Sequence, residues 1–258
     1  MQKSGILRIG TSGIVVPGNK QTIPPEYRDK SRLHYYASLF NTLEVNSSFK
    51  KLPMHSTFEK WSADVPLPFQ FTIKMSHLVT HVKPLSFDPG NINSFITAAN
   101  GIGEKKGCIL LQFPASITNE CHPKLEKILK QIDKLDGQRA WRKAIEIRST
   151  SWHNSRTVKL LQNFGASMVL QDMAKSNSLE VQDATDFAYF RYHGPKGDYR
   201  GSYDEDFLQA QAQKMRSLLS EGKDVYAYFN NTMGNAFENA VQLRAIVEEG
   251  GEVADDYL

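Results

Sequence analysis

The sequence is poor in cysteine, has no long apolar run and carries almost no excess charge. Only two cysteines occur in 258 residues. Cys108 lies inside an apolar run, Cys121 opens a helix-like segment, and neither has a C-x-x-C partner. Free thiols in a reducing cytoplasm are the expectation. No stretch approaches the roughly 18 apolar residues of a membrane span, and Met1–Ser12 lacks the apolar core of a secretion signal. A formal net charge of +3 is too small to demand a polyanionic partner, although it leaves room for a local basic patch. Internal repeats, low-complexity tracts and linkers are also missing, so one domain spanning residues 1–258 is expected. Hydrophobic residues at 40% and charged residues at 23% describe an ordinary globular chain.

Against these absences stand eight short β-type runs: Ile6–Gly10, Thr42–Ser47, Phe69–Met75, Gly107–Phe113, Lys143–Arg148, Ser167–Asp172, Phe187–His193 and Asp224–Asn230. Most are separated by stretches with helical spacing. Leu33, Tyr36, Ala37 and Phe40 recur with that period, and further patterns cover Thr57–Ala63, Asn93–Ala99, Pro123–Leu135, Ser155–Phe164, Asp204–Ser220 and Asn235–Val247. Gly165 and Gly222 lie just past helix ends. Eight βα units in a chain of this length predict an α/β fold, a (β/α)8 TIM barrel. Met173–Asp186 is too short and polar for a full helix, so an irregular connection is expected between strands 6 and 7.

Alternation separates the two faces of each strand. Apolar faces must meet the helices, so the polar faces point inward. Arg8, Glu44, Lys74, Glu146, Arg148 and Arg191 fall in the inward phase, with Gln112 and Asp172 nearby. Burying an isolated charge costs several kcal/mol, so these groups must pair, bind a ligand, or do both. One reading is an ion network that merely fills the barrel. The other is a polar site for an anionic or heavily hydroxylated ligand, at the strand ends where barrels bind substrates.

Glu44 and Glu146 lie on well-separated strands and could face each other as an acid/base pair, although neighbouring cations favour ionised, orienting roles. His193, at a strand end beside glycine, is by residue type the best general acid/base candidate. Glycine-rich loops with Lys196 and Arg200 after strand 7, and Asn230-Asn231-Thr232-Met233-Gly234 after strand 8, suit a phosphate. Neither is a Walker or Rossmann fingerprint. Phe49, Trp152, Tyr199 and Tyr203 could stack on a base or sugar, or simply pack the rim. Four histidines (His77, His81, His153 and His193) could join the acids around zinc or manganese. However, no His-x-His or His-Glu-x-x-His spacing occurs, and no metal is assigned. There is no Gly-x-Ser-x-Gly elbow, and the residues identify no cofactor.

Gly10-Thr11-Ser12-Gly13, Tyr35-Tyr36-Ala37, Phe40-Asn41-Thr42-Leu43-Glu44-Val45-Asn46-Ser47-Ser48-Phe49, Leu111-Gln112-Phe113-Pro114, Glu146-Ile147-Arg148, Ser151-Trp152, Tyr192-His193-Gly194 and Tyr228-Phe229-Asn230-Asn231 occur in this order. In them the chain resembles the YecE-like proteins, domain of unknown function 72. The resemblance implies a TIM barrel with a polar pocket at the strand ends and carries no activity with it. One departure is Ile14, followed by Val15-Val16-Pro17-Gly18, where the family commonly has an aromatic.

The sequence thus points to catalytic candidates Glu44, Glu146 and His193. Substrate-binding candidates are Asn46, Lys74, Gln112, Arg148, Trp152, Asp172, Arg191, Lys196, Asn230 and Asn231. The expected partner is a small anionic or phosphate-bearing ligand, with nucleic acid open and a membrane excluded. Turnover of a sugar phosphate or phosphodiester and binding without turnover both remain open.

Overall fold

In the computed structural model, which describes residues 4–138, 140–179 and 185–250, the polar-ended runs become parallel strands. They are β1 (Leu7–Thr11), β2 (Thr42–Val45), β3 (Gln70–Lys74), β4 (Lys106–Phe113), β5 (Arg142–Ile147), β6 (Ala166–Met168), β7 (Leu170–Gln171), β8 (Phe187–Tyr192) and β9 (Asp224–Phe229). Hydrogen bonding links them in two arcs, β2-β3-β4-β5-β6 and β7-β8-β9-β1. β6 and β7 are halves of one predicted run, and Val169 between them still donates its N–H to Ile145 O at 3.0 Å. At the other seam Ser12 pairs with Glu44 in a parallel bridge, and Gly13 N donates to Glu44 O at 2.8 Å. The strand order is that of a (β/α)8 barrel whose sixth strand is split.

The β1–β2 seam explains two residues of the motif. A Cβ on Gly10 would lie 2.4 Å from Thr42 O and 2.7 Å from the Tyr36 hydroxyl, so only glycine permits this approach. In place of a full ladder, the Tyr36 hydroxyl accepts from Thr11 N at 2.8 Å and donates to Thr42 O at 3.1 Å.

Helices α1 (Arg32–Ala37), α2 (His55–Ala63), α3 (His77–Thr80), α4 (Pro89–Ala99), α5 (His122–Leu135), α6 (Ser155–Asn163), α7 (Glu205–Ser220) and α8 (Ala236–Glu249) occupy the connections. Their apolar stripes meet the outward strand faces. In α5, for example, Leu125, Ile128, Leu129 and Ile132 are buried. Gly165 and Gly222 take positive φ after α6 and α7, as their positions predict. The short α3 was not anticipated, and Ser76 caps it by accepting from Leu78 N. Between β7 and β8 the described residues contain no helix. Residues 180–184 of that connection lie outside the described ones.

The barrel interior is layered, which strand phase alone does not reveal. A middle layer of Cys108, Leu110, Ala144, Val169, Phe187, Tyr189, Tyr226 and Tyr228 forms its own apolar cluster. The Tyr228 hydroxyl is tied to Thr42 and Thr72 at 2.6 and 2.8 Å. Charges lie above and below this layer. Arg8, expected beside the other charges, sits at the N-terminal end, 3.8 Å from Asp224. It lines a cavity of about 500 Å³ with Gln70, Lys106, Arg142 and Tyr226. Arg8 is an early residue of β1, so its inward side chain lies at the opposite end from the strand termini.

Candidate functional site

At the C-terminal ends the polar residues meet around one guanidinium. Arg191, the fifth residue of β8, is 1% exposed. Its Nε donates to Glu44 Oε2 at 2.9 Å and its Nη2 to Glu44 Oε1 at 2.8 Å. Its Nη1 donates to Glu146 Oε2. Glu44 also accepts from Ser12 Oγ at 2.7 Å, Tyr189 OH at 2.6 Å and Asn46 Nδ2 at 3.2 Å. Glu146 accepts from Arg148 Nε at 2.6 Å. β4 and β5 are in register so that Gln112 lies beside Glu146, which puts the half-buried Gln112 in the same inward phase.

Both carboxylates are fully buried, and burial alone would raise their pKa values. The Arg191 charge and hydrogen bonds outweigh this for Glu44, helped by Ser12 and Tyr189. Arg191, Arg148 and His193 outweigh it for Glu146. Both carboxyls are held below the usual range and stay ionised. Arg191 is likewise buried, but the two carboxylates raise its pKa further.

His193 is fully buried. Burial lowers its pKa, and contact with Asp172 only partly opposes this. Its Nε2 lies 3.1 Å from Arg148 Nη2 and 3.3 Å from Arg191 Nη1, both obligate donors. Nε2 is therefore an acceptor, and Nδ1 carries the proton toward Asp172 Oδ1 at 3.2 Å. Asp172 also accepts from His193 N at 2.8 Å and from the Tyr203 hydroxyl. Both ring nitrogens, expected to serve proton transfer, are thus committed to protein partners.

Lys74 is the exception. It is half-buried at the end of β3, with Nζ 4.5 Å from the Phe49 ring centroid. Among the described residues no hydrogen bond or ion pair engages its ammonium. Burial, with the Arg191 charge, pulls its pKa down to about 8. Arg148, 12% exposed at its side chain, engages Glu146 and His193 through Nε and Nη2. Its Nη1 has no partner among the described residues. Asn46 Oδ1 is buried and unpaired.

The remaining candidates divide. Trp152 does not reach over the mouth. It is 1% exposed, donates its indole N–H to Ile117 O at 2.8 Å and stacks on His122, so it locks a loop to the barrel. Asn231 is buried and ties Gly201 O and Asn239 together at 3.0 and 3.1 Å. Asn230 is half-buried at the end of β9, in the inward phase of Tyr226 and Tyr228. Lys196 is exposed. The glycine-rich loop around it spends its amides internally. Gly194 N donates to Tyr203 OH, Gly197 N to Gly194 O, Tyr199 N to His193 O and Arg200 N to Asp198 Oδ1. That leaves little of the phosphate cradle expected there.

Ser12, Tyr189 and Gln171 escaped sequence reasoning as parts of this site. Tyr189 and Gln171 were findable by phase, since Gln171 pairs in register with Arg191. His81 was named only as a possible metal ligand. It packs edge-on against Phe49, its ring centroid 4.8 Å away, and burial with the Lys74 charge lowers its pKa. Among the described residues no three His, Cys, Asp or Glu side chains converge as a metal-ligand group. No helix among them is long and apolar enough to cross a membrane.

A parallel α/β barrel with a cluster of charged side chains at the C-terminal ends of its strands is the class these features define. Within that class the chain belongs to DUF72, described as "Protein of unknown function DUF72", whose family model matches residues 8–256. It is 23% identical over 256 residues to the UPF0759 protein YunF of Bacillus subtilis, covering 87% of this chain and 89% of that protein. The crystal structure of the DUF72 protein EF0366 from Enterococcus faecalis superposes with TM-score 0.77 at 20% identity, covering 96% of this chain and 99% of that one. The corresponding values for TM1631 from Thermotoga maritima are 0.73, 24%, 94% and 99%. SacUVDE is similar in fold, with TM-score 0.54, 10% identity and coverage of 96% and 99%.

Proposed function

We propose that the C-terminal mouth binds a phosphate-bearing substrate, with a sugar phosphate favoured over a phosphodiester, and that the protein is an enzyme acting on it. The observation that carries this reading is the unequal commitment of the charges. Glu44 and Glu146 are saturated by Arg191 and by neighbouring donors, whereas Arg148 Nη1 and Lys74 Nζ keep donors free at the mouth. Cationic N–H groups left over beside a neutralised interior suit an oxyanion. The unpaired acceptor Asn46 Oδ1 calls for a donor, and a sugar brings several hydroxyl donors where a phosphate group is chiefly an acceptor. Gln112 and Asn230 share the inward phase and would orient further hydroxyls.

In this reading Glu44 and Glu146 act as fixed charges that hold Arg191 and Arg148 in place, and His193 sets the orientation of Arg148. A non-catalytic anion-binding protein is the alternative, favoured by the commitment of Glu44, Glu146 and His193 to fixed pairs.

Thermal stability measured against inorganic phosphate and ribose 5-phosphate tests the proposal. Ligand at about 100 times Kd adds about 2.7 kcal/mol, or roughly 5–10 °C in Tm for a chain of this size. The larger shift is expected with ribose 5-phosphate and should vanish in Arg148→Ala. Equal shifts in wild type and Arg148→Ala would refute the site. A shift with unaltered ligand recovered after long incubation would favour the binding protein over the enzyme.

A further inference from the structure

The geometry points to Lys74 as a nucleophile that forms an imine with the carbonyl of an open-chain phosphorylated aldose or ketose. This deepens the reading of the mouth as a phosphate site and rests on it. Lys74 ends β3, whose ladder with β2 places it beyond Glu44, over the buried ion cluster. A lysine meant only to balance charge would be expected against a carboxylate. Here Glu44 and Glu146 are already taken by Arg191 and Arg148, and among the described residues the ammonium finds no acceptor. It sits over the Phe49 ring, with Nζ 4.5 Å from the centroid. An amine beside other cations and partly withdrawn from water is available in its neutral, nucleophilic form at ordinary pH. Burial and the Arg191 charge bring it to about 8.

The chemistry balances without any further reactant. The neutral amine adds to the carbonyl carbon and the carbonyl oxygen takes up a proton, giving a carbinolamine. Loss of that hydroxyl with the proton from nitrogen releases one water and leaves a C=N bond. Protonation of the imine nitrogen yields an iminium, a stronger electron sink than the parent carbonyl, so reaction is directed to the carbon beside it. Arg148 supplies the phosphate anchor that holds the carbonyl end near Nζ. His81 packs against the same Phe49 ring, and its Nε2 has no partner among the described residues. Its Nδ1 is engaged by Thr80 Oγ1 at 2.9 Å, so Nε2 is the nitrogen left to accept a proton.

The test is reductive trapping. Protein is incubated with glyceraldehyde 3-phosphate and sodium cyanoborohydride, which reduces the imine to a stable secondary amine, and modified lysines are located by peptide mass spectrometry. The proposal expects Lys74 to be labelled ahead of the exposed lysines, with the label suppressed by excess inorganic phosphate. Lys74→Arg keeps the positive charge but forms no imine, so it should keep the phosphate-induced thermal shift and lose the label. Labelling spread over surface lysines, with the same pattern in Lys74→Arg, would overturn the imine whether or not phosphate binds. Lys74 labelled without any phosphate-induced shift would instead sustain the imine and overturn the anion reading beneath it.

Discussion

Replacing Arg191 by methionine removes the one group that, among the described residues, bonds both buried carboxylates. Glu146 keeps Arg148 at 2.6 Å. Glu44 keeps only neutral donors, Ser12, Tyr189 and Asn46, and becomes a fully buried carboxylate without a cation. Breaking a buried pair from one side costs about 3–5 kcal/mol. At roughly 2–4 °C per kcal/mol for a chain of this size, Tm should fall by roughly 6–20 °C. The pH dependence is more diagnostic than the size. In the wild type, the folded-state pKa values of Glu44 and Glu146 lie below their unfolded values. The stability they contribute is present above the unfolded carboxyl pKa near about 4.3 and is lost as pH falls toward the folded values. In Arg191→Met the unpaired Glu44 is raised instead, so lowering the pH from neutral toward 5 should recover stability in the variant while the wild type gains none. Arg191→Met/Glu44→Gln should be more stable at neutral pH than Arg191→Met alone. Denaturant unfolding across this pH range checks both statements. An Arg191→Met protein melting within about 2 °C of the wild type, with the same pH slope, would refute the claim that Arg191 keeps the carboxylates ionised.

Three further outcomes follow from particular contacts. Trp152→Phe removes the indole donor to Ile117 O and should cost about 1–2 kcal/mol in urea unfolding, with the phosphate-induced thermal shift unchanged; loss of that shift would return Trp152 to the site. At the other end of the barrel, Arg8 Nε and Nη1 are buried without hydrogen-bond partners, whereas Arg142 Nη1 bonds Asp224 at 2.6 Å and Tyr226 at 2.9 Å. Arg8→Met should leave Tm unchanged or raise it, and Arg142→Met should lower it, because only the second removes the cation hydrogen-bonded to Asp224, leaving Arg8 at 3.8 Å. Gly10→Ala forces a methyl against Thr42 O and should destabilise by about 1–3 kcal/mol, read as a lower urea midpoint.

Much of this site was legible because strand alternation is strict. Glu44, Lys74, Glu146, Arg148 and Arg191 fall in one phase, and the barrel rule assigns that phase to the interior. Phase does not report depth, however. Arg8 obeys the alternation and still lies at the wrong end, since depth is set by position along the strand. Arg8 is the second residue of β1 and Lys74 the last of β3. Loop residues were harder to place. Trp152 follows the end of β5 closely in sequence, but a buried carbonyl acceptor and the His122 ring draw it away from the mouth. The glycine-rich loop after β8 has the composition of an anion cradle, yet Gly194, Gly197, Tyr199 and Arg200 all direct their amides at neighbouring protein oxygens. Composition supplies donors; only the folded backbone decides whether they are already used.

Depth also reconciles the two readings of the interior charges. An ion network and a ligand site need not compete when they occupy successive levels of one barrel. Glu44 and Glu146 are completely buried, and as bare charges there they would be costly. Arg191 between them removes that cost and is itself buried above the layer that holds Tyr189 and Tyr228. One level higher, Arg148 reaches down to Glu146 with part of its guanidinium and leaves Nη1 without a partner, while Lys74 pairs with no acid among the described residues. The network therefore consumes the negative charge at the bottom of the site and presents positive charge at the top. A purely structural network would gain by engaging Arg148 Nη1 and Lys74 Nζ as well. Their unmatched N–H groups are the feature that a filled barrel does not need and an anion pocket does.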